Sequence, residues 1–147
     1  MYTVITENDI SQWDDIPGTK YHFPSRYLKM LKPGTKVIYY KGQLKNNQFR
    51  KLRLSDKPHY FGTAVIGDVS QQTGTSNYYA DILNFQRFTK AVLSKQNETT
   101  FEIIPSSRIK NYWRDGVRVI DKNIYDAILT NAKKKKKDDI YNDQKEF

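Results

Sequence analysis

The chain sets short apolar and aromatic runs between polar stretches punctuated by Pro and Gly. Tyr2 to Thr6 is β-branched and aromatic and predicts a first strand. Residues 8–20 read as loop, with Pro17-Gly18 as a turn. In FPSRYLKMLKPG, Pro24 suits the first position of a short helix, Tyr27, Leu28 and Leu31 share a face, and Pro33-Gly34 stops it. TKVIYYKG predicts a strand closed by Gly42, and residues 43–57 form a polar insertion. HYFGTAVIGDVS is the clearest strand, with Phe61, Thr63, Val65 and Val69 on one side and Gly62 and Gly67 as bulge or close-approach positions. After a turn at 71–77, YYADILNFQRFTKAV predicts a long bent strand, and TFEII another, ended by Pro105. Residues 106–112 form a helical turn leading to Trp113, and the apolar run after it predicts a further strand. Asp121 caps a helix with Ile124, Tyr125, Ile128 and Leu129 at helical spacing. Five or six strands with two or three short helices make an α+β fold, a small curled sheet or barrel. The strands holding Val37–Tyr40 and Ala64–Val69 are expected at its centre.

A chain of 147 residues fits one domain. The core pattern covers residues 1–132, and 133–147 read as a charged tail, a frayed helix end or a linker. Eleven Tyr, seven Phe and two Trp are more aromatics than a small core requires. The net charge is +9, and the tail explains little of it: its six Lys and four acids give +2, leaving +7 on the body. A basic body attracts polyanions. The absence of cysteine excludes disulfides and thiolate zinc sites and suits a reducing, cytoplasmic setting. No stretch reaches transmembrane length, and Met1 to Val4 opens no signal peptide.

Chemistry-bearing motifs are missing. Only His22 and His59 are histidines, with no metal-ligand spacing, so no metal is expected. Glu7, Glu98, Glu102 and Glu146 form no nuclease pair, and glycine-rich phosphate loops are absent, so no cofactor and no catalytic residue are assigned.

Four blocks carry a resemblance: YHFPSRYLKMLKPGTKVIYYKG, YFGTAVIGDV, YYADILNFQRFTKAV and YWRDGVRVIDKNIYDAIL, in that order over roughly residues 20–130. Together they resemble EVE-type domains of the PUA-like superfamily, as found at the N-terminus of prokaryotic modification-dependent restriction proteins. The resemblance implies a pseudo-barrel of five to six mainly antiparallel strands flanked by short helices. It also implies a pocket that receives one modified base, methylated cytosine or adenine, turned out of double-stranded DNA. Nuclease or NTPase activity would then sit in a separate, covalently linked domain. An RNA reader of the YTH or PUA kind is the first alternative, and a small nucleotide-acting enzyme the second.

Base capture needs a stacking surface, polar groups for the base edge and cations for the phosphates. In NYWRDGVRVID, Trp113 can wall such a pocket and Arg114 can meet a phosphate or a base; otherwise Trp113 plugs a barrel end and Arg114 pairs with Asp115. Tyr39 and Tyr40 face opposite sides of their strand, so one is core and the other a pocket candidate. Tyr21, His22 and Phe23 precede the short helix in a loop that can face a pocket, or else Phe23 packs as a staple and His22 is solvated. Asp68 or Asp81 can accept from an exocyclic amine, or cap a turn and pair across strands. Lys36, Lys41, Lys45, Arg50, Lys51, Arg53 and Lys57 face a single acid, Asp56, over residues 36–57. Of these, Lys41, Lys45, Arg50, Lys51 and Arg53 are the phosphate candidates, unless the run is only a solvated face.

Overall fold

The computed structural model describes residues 1–9 and 19–134, so the Pro17-Gly18 turn and the tail beyond Lys134 lie outside the described residues. Strands β1 (Tyr2–Thr6), β2 (Lys20–Pro24), β3 (Lys36–Lys41), β4 (His59–Gln71) and β5 (Asn77–Leu93) are followed by a short ribbon, β6 (Lys95–Gln96) and β7 (Thr99–Thr100). Strand β8 (Val117–Ile120) and the helix α1 (Lys122–Lys133) complete the order. Six strands form one curled sheet in the order β2-β5-β4-β3-β1-β8, antiparallel except for the parallel β1–β3 pair. The expected α+β pseudo-barrel is observed, with β3 and β4 at its centre.

Both sheet faces are covered, which is why β3 is buried at every position after Lys36. Val37 and Tyr39 join a cluster with Ile5, Phe23, Leu31 and Phe61; Ile38 and Tyr40 join another with Val4, Tyr60, Val92 and Ile128. The alternation of Cβ directions along a strand divides the two cores. On the second face α1 presents Tyr125 and Ile128, and the Asp121 carboxylate accepts from the Ile124 N–H at 2.9 Å as its cap.

The long β4–β5 hairpin shifts register at Tyr60/Gly62, Thr63/Val65 and Ile66/Val69. A Cβ on Gly62 would lie 2.9 Å from the Gln86 carbonyl oxygen, so the strands close only over glycine. The bulges correct one expectation. Phe61, Thr63, Val65 and Val69 do not form a single inward row; the buried set is Tyr60, Phe61, Ala64 and Ile66, divided between the two faces.

Other local expectations change as well. Residues 20–24 are not a loop but the edge strand β2, because pairing with Asn77–Asp81 turns Tyr21 and Phe23 into the first core. Pro24 ends that strand instead of opening a helix, and Ser25–Met30 is a 3-10 helix. The insertion holds another 3-10 helix, Asn47–Leu52, and two 3-10 turns sit at 106–108 and 112–114. α1 is the one α-helix among the described residues. TFEII is not a strand: only Thr99 and Thr100 pair, and the chain then leaves the ribbon with Glu102 buried and Ile103 exposed.

His59 is fully buried in β4, its Nδ1 2.7 Å from the Lys57 carbonyl. Burial, aided by the charges of Arg53, Lys41 and Arg87, lowers its pKa below the ordinary 6.5 despite that hydrogen bond. The unfolded chain therefore binds the proton more readily, and stability should fall as pH drops through about 6.5 toward the folded value. Thermal melts from pH 7.5 to 5.5 should show this slope, and His59→Asn should flatten it whatever it does to the melting temperature at neutral pH. A second comparison tests the hairpin. Gly62→Ala should cost about 1–3 kcal/mol in urea unfolding, whereas Gly42→Ala, with nothing within 4 Å of the added methyl, should be near neutral.

Candidate nucleic-acid interface

Arg118 sits in β8 between two apolar residues and is 5% exposed; Glu102, in the segment after β7, is 1% exposed. The guanidinium donates from Nε to Glu102 Oε1 at 2.7 Å and from Nη2 to Oε2 at 3.0 Å. Tyr60 and Tyr112 donate their hydroxyls to the same carboxylate at 2.7 and 2.9 Å. Four donors thus satisfy one buried anion, while Arg118 Nη1 donates to the Asp115 carbonyl at 2.9 Å. Burial opposes the Arg118 charge, but the hydrogen bonds and charge of Glu102 outweigh it and raise its pKa. Burial raises the Tyr60 and Tyr112 pKa values further, with Glu102 adding to the effect, so both remain donors at neutral pH.

The guanidinium also supports aromatic rings. Its central carbon lies 4.7 Å from the Tyr40 ring centroid and 4.9 Å from that of Trp113. Tyr40 and Trp113 stack, with centroids 5.5 Å apart and planes 20° apart, and Tyr112 meets Trp113 edge-on at 5.2 Å. The 3-10 turn Tyr112–Arg114 positions Trp113, and the face of β3 opposite Tyr39 positions Tyr40.

Tyr40 and Trp113 form part of the wall of an open cavity of about 790 Å³. Ser94, Lys95, Thr100 and Pro58 also line it, with residues 6–9, Lys41 to Gln43, Lys45, Asn46, Phe49 and Arg53. Arg118 is not among the lining residues, so it supports the wall from within. The polar groups of the lining are partly committed. Asp9 accepts from Lys41 Nζ at 3.0 Å and from Arg53 Nη1 at 2.8 Å, and Arg53 also donates to the Ser55 and Gly42 carbonyls.

Of the sequence candidates, the cavity gathers Tyr40, Trp113, Lys41, Lys45 and Arg53. Lys41 and Arg53 are buried and paired with Asp9, so their charges serve the cavity wall and are poorly placed for a phosphate track. Lys45, Arg50 and Lys51 are exposed, with Arg50 held 3.1 Å from Asp56. The remaining candidates lie elsewhere. Tyr39 packs between Phe61 and Phe85, and Phe23 stacks near Tyr78. Tyr21 donates its hydroxyl to the Thr6 carbonyl at 3.0 Å, and His22 lies 5.9 Å from Tyr79 on the β2 edge. Asp68 and Arg114 are exposed outside the cavity lining, and Asp81 stands opposite Lys20 in the β2–β5 register. Asp115 pairs with Arg108 at 2.8 Å and not with Arg114.

Sequence reasoning missed Arg118, Glu102, Tyr112, Asp9 and Phe49. The one available signal was a pair of opposite charges, each embedded in an apolar run, VRVI and TFEII. Among the described residues no group of three His, Cys, Asp or Glu side chains could hold a metal ion.

Removing one partner of such a pair strands the other charge. Glu102→Gln should therefore cost about 3–5 kcal/mol in denaturant unfolding. The double variant Glu102→Gln/Arg118→Met should cost less than the sum of its single changes, and strict additivity would contradict this coupling.

No family model and no curated protein matches the sequence significantly. Solved structures do match. A Pseudomonas putida structural-genomics protein aligns with TM-score 0.56 and 10% identity, covering 90% of this chain and 99% of its own. Human THYN1, solved in complex with 5-methylcytosine-containing DNA, aligns with TM-score 0.55 and 10% identity, covering 92% and 99%. The chain shares the α+β pseudo-barrel fold of these two structures.

Proposed function

We propose that the protein is a non-catalytic DNA-binding module that draws one modified base, a methylated cytosine or adenine, from a duplex into the cavity beside Tyr40 and Trp113. The observation that carries this reading is the stacked Tyr40–Trp113 pair, held from within by Arg118 and set in the wall of that cavity. Turning a base out of a duplex costs a few kcal/mol, and stacking on an aromatic wall returns about 1–3 kcal/mol per base. A wall fixed before the ligand arrives loses little side-chain freedom on binding. Lys45 and Lys95 at the cavity and Arg50 and Lys51 on the adjoining 3-10 helix are suited to phosphates. The fold shared with human THYN1, whose structure holds 5-methylcytosine-containing DNA, supports the same reading. We place the module in a modification-dependent restriction system, where cleavage belongs to a separate domain.

Two measurements test the reading. Trp113→Ala should reduce the preference for duplexes carrying one 5-methylcytosine or N6-methyladenine more than it weakens plain binding, because stacking acts only on the captured base. Trp113→Leu, which keeps most of the volume, should lose the same preference with a smaller fall in melting temperature. Unchanged preference in a folded variant would end the pocket role, and stronger binding to the matching RNA would favour the RNA reading. Neutralising Lys45, Arg50 and Lys51 together should lower the salt slope of binding by about one unit per lost phosphate contact, alike for modified and plain DNA.

A further inference from the structure

We infer that a second site binds the phosphodiester backbone of the same nucleic acid: the groove between β5 and the C-terminal turn of α1. The inference rests on the DNA-binding reading above, but not on the base pocket. The groove has a volume of about 600 Å³ and is lined by Arg87, Lys90, Lys133 and Lys134, with no acid among its described lining residues. Its lining also includes the partly buried Phe88, Leu129 and Ala132, apolar surface on which lysine stems can lie. Thr63, Gln86 and Thr89 supply neutral side chains that can donate to phosphate oxygens.

Two contacts tie the groove to the cavity. Arg87 donates from Nη2 to the Leu52 carbonyl at 3.1 Å, joining the groove to the 3-10 helix that carries Arg50 and Lys51. Near the other end of α1's last turns, the side chains of Asn131 and Gln96 approach to 3.4 Å, and Gln96 follows Lys95 of the cavity wall. Cations therefore run from the cavity around the end of the sheet into the groove. Among the described residues Lys90, Lys133 and Lys134 enter no ion pair, whereas Asp126 holds Lys122 at 2.7 Å and Glu98 holds Lys95 at 3.4 Å.

The spacing sets a ruler. Between Arg87 and Leu93 the β5 strand bulges, so that these seven residues oppose only His59 to Gly62 of β4, three steps or about 10 Å at roughly 3.4 Å per residue. Successive phosphates on one DNA strand are also about 3.4 Å apart along the axis, so the groove meets the backbone within about three base pairs of the captured base.

The test uses the triple variant Lys90→Gln/Lys133→Gln/Lys134→Gln, whose side chains are outside both cores. Binding is measured against salt on duplexes extending ten base pairs to each side of one 5-methylcytosine and on the plain duplex, beside a control variant Lys29→Gln/Lys32→Gln/Lys36→Gln, whose exposed lysines lie outside the groove lining. On both long duplexes the slope of log affinity against log salt should fall by about two to three units. The ratio of modified to plain binding should not change, and the control variant should keep the parent's slope. An unchanged slope on long duplexes overturns the groove. So does an equal fall in the control variant, which would mean a diffuse field in place of a site. Because the slope is also read on plain DNA, loss of the base-reading account would show separately, as a parent protein indifferent to the modification.

Discussion

The buried ion pair between Glu102 and Arg118 is the constraint on which the cavity end of the molecule depends. Taking two charges out of water costs several kcal/mol per ion after relaxation, and close pairing offsets that only when the remaining donors and acceptors are satisfied. Here they are: the carboxylate receives two hydrogen bonds from the guanidinium and one each from Tyr60 and Tyr112. The residues involved come from β4, the segment after β7, the 3-10 turn at 112–114 and β8. One polar cluster therefore fixes how those four parts of the chain meet. Replacing it with apolar side chains could retain stability but would lose the directional bonds that set the angle of the Tyr112–Arg114 turn.

From that cluster the aromatic wall follows. A guanidinium within 5 Å of both the Tyr40 and Trp113 centroids braces the two stacked rings at the margin of the second core. The sheet permits this because it is two-faced. Val37 and Tyr39 contribute to the core with Phe61 and Leu31, which leaves Tyr40 free to face the other way and line the cavity. The bulges in β4 and β5 bend the hairpin, so that α1 packs against β5 on the Tyr40 side.

Much of the fold was legible in the sequence. Strands β1, β3, β4, β5 and β8 and helix α1 carry plain alternation or helical spacing, and Gly62 declared a close approach that the structure shows. What failed did so for identifiable reasons. Lys20–Pro24 has only five residues and a proline, and its strand character comes from pairing with β5, not from its own pattern. The ribbon turn at Asn97-Glu98 has both residues at positive φ, 50° and 69°, without the glycine that usually marks such a turn.

The site was half legible. Tyr40 and Trp113 could be named as candidates because aromatics beside polar turns are visible in sequence. Arg118 and Glu102 could not be, because each one taken alone reads as the outward-facing residue of a strand. Only the fold, which brings residues sixteen apart into contact, shows that they neutralise each other. Tyr21, Phe23 and Tyr39 were indistinguishable from Tyr40 by composition, since a domain with eleven Tyr uses most of them for packing.

The most direct measurement is a crystal structure of the protein bound to a duplex carrying one 5-methylcytosine at a defined position. The modified base should stand outside the helix, its ring against Trp113 and Tyr40, with Arg118 and Glu102 still paired beneath them. A duplex bound with the modified base stacked in place and the cavity empty, or a base turned into any other part of the molecule, would contradict the claim that this wall reads the base.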